Sequence, residues 1–525
     1  MQSSSLEVPS VSTTNYLMRP FKAAAAFLQG IQSAAVSLIN WPVDLYKLSR
    51  YEEGFMFSKL YERARDDTNI TKVTMPIPPQ VAQWSEDKVP ANIYVITGPT
   101  ENVRQVAEYG EKNNDPKARF YFNFFNRLMG RKNIIHTLLN TDDAKQEKKF
   151  IKMHLVQPEA LEFGVVTARK RIRLLLNDWN KDLPYQDQIS YIGSNVVGVC
   201  VFGIPELPLS YIPKLREVGE SFPEYYKNPD LIRHGEKFLD DLNKDLIPQH
   251  IDAILAANKF GKKDFDLHAD PALDKTQEML KRKLASWYAA EGSLSSILMV
   301  AIAHLNQIPE IKEKLKAEVE DFKKTHNITQ NEEITLENLR QDFPYLDCLY
   351  RETLRFASTQ TAIARKTSVA STFNLFDKGG VKHSQTIPAE SILFFPVRAR
   401  HFDATFWDKP QEFQPARFDY RLPRNIDQTD GEYQAAFKLH QAQVKKNRDQ
   451  LIPFSVGIRS CPSQYGFSEL VFKTVILECL DYKFTFNNKI EDVPVCVPQS
   501  SWKKTYFATV EREEKKLENV CFPKR

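Results

Sequence analysis

Apolar residues recur at helical spacing over most of the chain and run together or alternate over only a few short stretches. The helical period predicts helices over 145–180 with a break near Pro158, over 275–306 ending just before Pro309, over Glu310–His326, over Phe343–Phe356 and from about Ser463 to Leu480. Tyr51–Arg65 reads as one more helix. Glu310–His326 is charged, with opposite signs at regular spacing, as on a solvated helix face. Short β-branched and apolar runs with prolines at the turn predict strands over Thr71–Pro79 and Ala91–Thr97, and strand-like pieces follow at 366–376 and 391–397. Helices dominate, with a small β portion early and another late. No repeat, low-complexity linker or composition shift divides the chain. The expectation is therefore an α+β, mainly helical fold with small β-sheets, built as one domain over 50–525 behind an N-terminal extension over 1–49.

Within that extension, residues 21–39 (FKAAAAFLQGIQSAAVSLI) form the most apolar early stretch. Lys22, Gln29, Gln32, Ser33 and Ser37 interrupt it. A bilayer span wants roughly 20 nearly unbroken apolar residues, and no small-residue cleavage site marks a secretory signal. Two readings stay open: a helix packed on the protein body, or an interfacial helix that attaches the protein peripherally to a membrane such as the endoplasmic reticulum.

Composition narrows the class. Apolar residues make up 42% and charged residues 26%, which excludes a mostly disordered chain and a polytopic membrane protein. The excess of four positive charges gives no reason to expect a nucleic acid partner. Glycine is scarce at 18 and phenylalanine plentiful at 34, which favours a helical body with a bulky core. Cys200, Cys348, Cys461, Cys479, Cys496 and Cys521 are dispersed without a C-x-x-C pair, so a disulfide framework or zinc site is not expected and a reducing, intracellular compartment is. No H-E-x-x-H, Walker-type or G-x-G-x-x-G segment occurs.

Candidate chemistry concentrates in Phe454-Ser-Val-Gly457-Ile-Arg459-Ser-Cys461. An apolar residue, a glycine turn, an arginine and a cysteine lead into an apolar helix. A cysteine at a helix N-terminus with a cation nearby is disposed to be a thiolate. Such a thiolate ligates a soft metal centre or acts as a nucleophile; the plain alternative is a buried free cysteine beside a surface arginine.

The surrounding pattern decides among these. The segment resembles the haem-binding loop of the cytochrome P-450 family, F-x-x-G-x-R-x-C-x-G. Three further matches stand in the family's order: Glu352-Thr-Leu-Arg355 resembles its E-x-x-R helix, Pro410 to Phe418 resembles its P-x-x-F-x-P-x-R-F loop, and Glu469 stands at the acidic position of the helix behind the haem. The resemblance covers residues 50–510 and implies the cytochrome P-450 fold, with haem between the oxygen-activating helix and the Cys-loop helix. It implies haem b as cofactor, with Cys461 as the axial thiolate ligand of the iron. It further implies Phe454 and Arg459 at the haem, propionate contacts from Arg459 and Arg365, and a buried structural cluster of Glu352, Arg355 and Arg417. Where the family often has W/H-x-x-x-R, this chain has Lys145 to Lys149, and Lys149 would give a point charge without arginine's fork.

Two departures matter. The oxygen-activating helix of the family usually reads [AG]-G-x-[DE]-T-[TS], and Ala289-Ala290-Glu291-Gly292-Ser293-Leu294 aligns with it. Gly292 takes the acid position and Ser293 the alcohol position. Glu291 stands one residue earlier, about 100° round the helix, and reaches the proton channel only if Gly292 loosens the helix. Ser293 and Glu291 are the catalytic candidates. In the loop, Pro462 and Ser463 follow the cysteine where the family has x-Gly. Pro462 lacks an N–H, so fewer hydrogen bonds to sulfur and an iron that is harder to reduce are expected.

Residues 120–129 (FYFNFFNRLM) are unusually aromatic. Phe120, Phe122, Phe124 and Phe125 would roof an apolar ligand and Ile363 would line its wall, or these side chains are plain core. Residues 426–450 form a charged, helix-like insertion before the haem loop. The resemblance implies a monomeric monooxygenase of secondary or lipid metabolism. It would hydroxylate or epoxidise an apolar small molecule with electrons from NAD(P)H through a reductase or ferredoxin. The missing acid at Gly292 keeps two rivals in view: a haem-thiolate isomerase, dehydratase or peroxygenase, and a haem-binding sensor or scaffold.

Overall fold

Among the described residues, strands cluster in three stretches, 70–96, 363–395 and 482–512, and helices occupy most of the remainder. The computed structural model describes residues 61, 64–65, 69–74, 92–110, 152, 155–202, 209–213, 237, 290, 292–359, 362–377, 379–421, 431–490, 495–496, 500–501 and 505–513. Residues 21–39, most of Tyr51–Arg65, the stretch 120–129 with Phe120, Phe122, Phe124 and Phe125, Lys149 and Glu291 lie outside them. In chain order, strands β1 (Ile70–Thr74) and β2 (Asn92–Ile96) precede helices α1 (Thr100–Ala107), α2 (Pro158–Asn177), α3 (Tyr185–Val197), α4 (Gly292–Gln307), α5 (Pro309–His326), α6 (Leu336–Gln341) and α7 (Pro344–Ala357). Strands β3 (Ile363–Lys366), β4 (Ser371–Phe376), β5 (Lys382–Ile387) and β6 (Ser391–Phe395) come next, then α8 (Val397–His401) and α9 (Gly431–Gln450). Helix α10 (Phe467–Cys479) and strands β7 (Tyr482–Phe486), β8 (Val495–Cys496), β9 (Ser500–Ser501) and β10 (Ala508–Arg512) follow. The architecture is mainly helical with small sheets, as the sequence pattern predicts. No single described helix is long and apolar enough to cross a membrane.

Local sequence sets the helix ends. Pro158, Pro309 and Pro344 each occupy the opening positions of α2, α5 and α7, where a missing N–H costs nothing. Gln157 is extended (ψ 139°), which produces the break expected near Pro158. Asn327 and Ser358 end α5 and α7 in the left-handed conformation (φ 54° and 44°). Pro309 also forces a 101° bend between α4 and α5.

Two apolar cores form among the described residues. The first joins α2, α3, α4, α5, α7 and α10 through side chains such as Ile172, Ile192, Leu298, Leu315, Leu349 and Phe472. The second lies on the four-stranded sheet, whose order is β1-β2-β6-β3. Its β2–β6 pair is parallel and its outer pairs antiparallel, with Ile93 opposite Ile392 and Ile363 opposite Phe395. Helix α1 packs on that sheet through Val103 and Val106, and its buried Asn102 exchanges hydrogen bonds with the Phe376 backbone at 2.8 and 2.9 Å.

A largely buried charge cluster ties the helical core to the loop after α8. Glu352 accepts from Arg355 Nε (2.9 Å) and Nη2 (2.8 Å), from Arg417 Nε and from the Gln414 backbone N–H (2.8 Å). Both Glu352 and Arg355 side chains are 0% exposed. Arg355 also donates to the carbonyls of His401 and Pro410 (2.8 Å each), and its guanidinium lies 5.4 Å from the Phe402 and Trp407 rings. Every guanidinium proton direction is used, which a lysine could not match. Glu352→Gln should therefore destabilise the protein by about 3–5 kcal/mol, because two buried cations lose their anion. Urea unfolding with an unchanged slope measures this, and a loss under about 1 kcal/mol would refute the cluster's structural weight.

Two buried histidines are held neutral. His401 accepts the Ile452 N–H at Nε2 (3.2 Å) and meets Ser358 Oγ at Nδ1 (2.7 Å); burial and the neighbouring arginines push its pKa well down. His304 hydrogen-bonds the Val300 carbonyl (2.8 Å) and stacks on Phe413, and burial lowers it to about 4. The unfolded chain takes up these protons as pH drops below about 6.5 while the folded chain refuses them, so stability falls with pH. The expected slope between pH 6.5 and 4 is about 1.4 kcal/mol per pH unit for each histidine. His304→Phe should remove one such increment in denaturant titrations at stepped pH; an unaltered slope would contradict the assignment.

Candidate functional site

The ends of the segment Phe454–Cys461 meet: the Cys461 N–H donates to the Phe454 carbonyl at 2.9 Å. Two left-handed residues, Ser455 (φ 62°) and Gly457 (φ 79°), turn the chain back. A Cβ on Gly457 would stand 2.6 Å from Glu108 Oε1, so both backbone angle and space require glycine. Phe454 packs on the helical core and Val456 on the sheet core, which anchors the loop at both sides. Gly457–Arg459 forms a 3₁₀ turn against which α1 packs.

Beyond the cysteine the structure departs from the single helix expected from Ser463. Cys461 caps a 3₁₀ turn, Pro462–Tyr465, and Gly466 (φ 137°) separates that turn from α10. The cysteine is thus not at the N-terminus of α10, and the macrodipole, which acts only within the first turn, does not favour its thiolate. Sγ is solvent-accessible at the loop tip, yet surrounded by enough protein that burial pushes the thiol up. Hydrogen bonds from Ser463 oppose that shift: its hydroxyl lies 3.1 Å from Sγ and its backbone N–H also points at sulfur. Ser463 thereby supplies the donors that Pro462 lacks, and the expectation of a poorly hydrogen-bonded sulfur does not hold.

Behind the loop, Glu469 pairs with Lys473 at 2.5 Å, and the buried Lys473 donates to the Leu339 carbonyl at 2.9 Å. Lys473 escaped the sequence reading, although its i,i+4 spacing from Glu469 is the usual sign of such a pair.

Arg459 ends the 3₁₀ turn and is half-buried. Arg365 is buried on β3 and donates to the carbonyls of Ala107 (2.6 Å) and Ala364 (2.7 Å), so it closes the C-terminal end of α1. Helix α1 packs against both β3, which carries Arg365, and the turn Gly457–Arg459. Ile363, two residues before Arg365, is buried with Tyr94, Leu393 and Phe395 in the sheet core.

On α4, Gly292 is buried and Ser293 half-buried. The Gly292 carbonyl accepts from Ser296 Oγ at 2.8 Å, a bond from one turn of the helix back to the turn before it. Below it Leu294, Ile297, Leu298 and Ala301 are buried. A soft sulfur donor at an accessible loop position, with the half-buried Arg459 two residues before it in sequence, fits an iron porphyrin whose carboxylates need a cation.

Comparison with known proteins agrees. The family profile of cytochrome P-450 matches residues 276–489, which hold Ser293, the Glu352 cluster and the Cys461 loop. The chain is 28% identical over 220 residues to cytochrome P-450 93A2 of Glycine max, covering 41% of this chain and 38% of that protein. It is 26% identical over 226 residues to 3,9-dihydroxypterocarpan 6A-monooxygenase of Glycine max, covering 42% and 38%. It is 26% identical over 321 residues to thromboxane-A synthase of Sus scrofa, covering 55% and 52%. The alignments thus span about half or less of these relatives. With the loop geometry, the buried acid–arginine cluster and these likenesses together, residues 276–489 of the chain carry the pattern of the cytochrome P-450 family.

Proposed function

We propose that this protein is a haem-thiolate monooxygenase that inserts one oxygen atom from dioxygen into an apolar small molecule. The observation that carries this reading is the accessible Cys461 sulfur at the tip of a loop locked by the Phe454 carbonyl and set between two cores. Haem b would supply the redox chemistry that activates dioxygen, with a cysteine thiolate as its protein ligand.

The chain's own residues have these roles in the proposal. Cys461 would hold the haem iron. Arg459 and Arg365 neutralise propionates, with Lys149 as a further cation. Ser293 Oγ would hold and pass a proton, with Glu291 as the second catalytic candidate. The apolar lower part of α4 keeps bulk water from the reacting centre. Phe120, Phe122, Phe124 and Phe125 cover the substrate, and Ile363 supports the wall from the sheet. Electrons come from NAD(P)H through a reductase or ferredoxin. Helix α9 presents Lys438, Lys445 and Lys446 to solvent, a charge pattern suited to an acidic donor surface.

A second reading is favoured by one observation. Gly292 stands where the family keeps an acid, and Ser296 closes on its carbonyl. A haem-thiolate isomerase, dehydratase or peroxygenase needs no such relay, and one relative is named a synthase.

Cys461→Ala should abolish the thiolate-type Soret band of the dithionite-reduced carbonyl adduct. An adduct of the unaltered protein that absorbs like a globin's would end the haem-thiolate reading. Supplied with NADPH, a reductase and an extract of apolar metabolites, the protein should yield products heavier by one oxygen atom. Ser293→Ala should slow that formation by about 10²-fold while hydroperoxide-driven turnover persists. Product formation with an organic hydroperoxide alone, and none with NADPH and reductase, would select the second reading.

A further inference from the structure

The sulfur of Cys461 has a neighbour that the loop motif does not require. Where that motif ends in glycine, this chain has Ser463, and its Oγ lies 3.1 Å from Sγ. The serine sits in the 3₁₀ turn Pro462–Tyr465, so its backbone is fixed relative to the cysteine by a rigid proline and one short turn. Gln464, next along, turns instead to Ser460 Oγ at 2.9 Å. Pro462 has no N–H to offer. The side chain at 463 is therefore the group by which this sequence, rather than the backbone common to such loops, touches the sulfur.

We propose that the Ser463 hydroxyl donates a hydrogen bond to the iron-bound Cys461 thiolate and sets the reduction potential of the haem upward; this rests on the haem-thiolate reading above. A metal-bound thiolate carries no proton, so in that state the hydroxyl can only be the donor. A donor at sulfur draws charge away from the metal. The more electron-rich reduced state gains most from that withdrawal, so the hydroxyl makes reduction easier. Ser463 acts through Cys461 and is a positioning residue, not a catalytic one.

The test uses the full-length, haem-loaded protein and three variants: Ser463→Ala, Ser463→Gly and Ser463→Thr. The readouts are the midpoint potential from spectroelectrochemical titration and the Fe–S stretching frequency from resonance Raman spectra. Alanine and glycine should both shift the potential downward and raise the stretching frequency, because the unscreened sulfur donates more strongly. Threonine, which keeps the hydroxyl, should leave both near their original values. An unchanged potential in the alanine and glycine variants, with thiolate-type carbonyl spectra retained throughout, overturns this role and leaves the haem-thiolate reading intact. A threonine variant that shifts as far as alanine also overturns it, since the hydroxyl would not then be the cause. A globin-like carbonyl spectrum in the unaltered protein overturns the underlying reading instead.

Discussion

A carboxylate buried between two guanidinium groups is the constraint on which the described structure depends. Glu352 belongs to α7, in the helical core, while Arg417 lies in the loop that follows α8. Neither charge tolerates burial alone, so the pairing fixes where that loop runs. The consequence travels onward. The Arg417 carbonyl accepts from Asn447 on α9 at 2.8 Å, and Arg448 beside it reaches Asp347 on α7 at 3.3 Å. Helix α9 leads directly into the loop that carries Cys461. The ion cluster therefore positions the sulfur through a short series of hydrogen-bonded neighbours, without touching it.

The loop then reconciles opposed demands. It must expose a sulfur and still be rigid. Exposure comes from two left-handed residues that fold the chain back on itself, and rigidity from the Phe454 carbonyl and the two cores that grip Phe454 and Val456. A thiol so surrounded resists ionisation, and the serine two residues on offsets part of that cost by hydrogen bonding to sulfur.

Helix α9 lengthens the path between the charge cluster and the sulfur without loosening it. Val444, Asn447 and Gln450 face inward at helical spacing, and lysines occupy the outer side. One face serves the fold, and the other faces solvent.

Much of this was legible in the amino-acid order. Prolines 158, 309 and 344 mark helix starts because a residue without an N–H fits only where no N–H is needed. The helical and two-residue periods locate most described elements, since those periods are local properties of the backbone. The motif residues Glu352, Arg355, Arg417 and Cys461 stand out because their chemistry is costly unless it is used. Other features needed the folded chain. That Arg365 closes the end of α1, that Lys473 rather than solvent answers Glu469, and that Ile363 packs among sheet residues depend on which distant segments meet. The break at Gly466 and the approach of Ser463 to sulfur depend on backbone angles that glycine and proline permit but do not dictate. Sequence determines which groups cannot be left unpartnered; only the tertiary structure decides which partner each receives, because desolvation and hydrogen bonding are settled by distances between segments far apart in the chain.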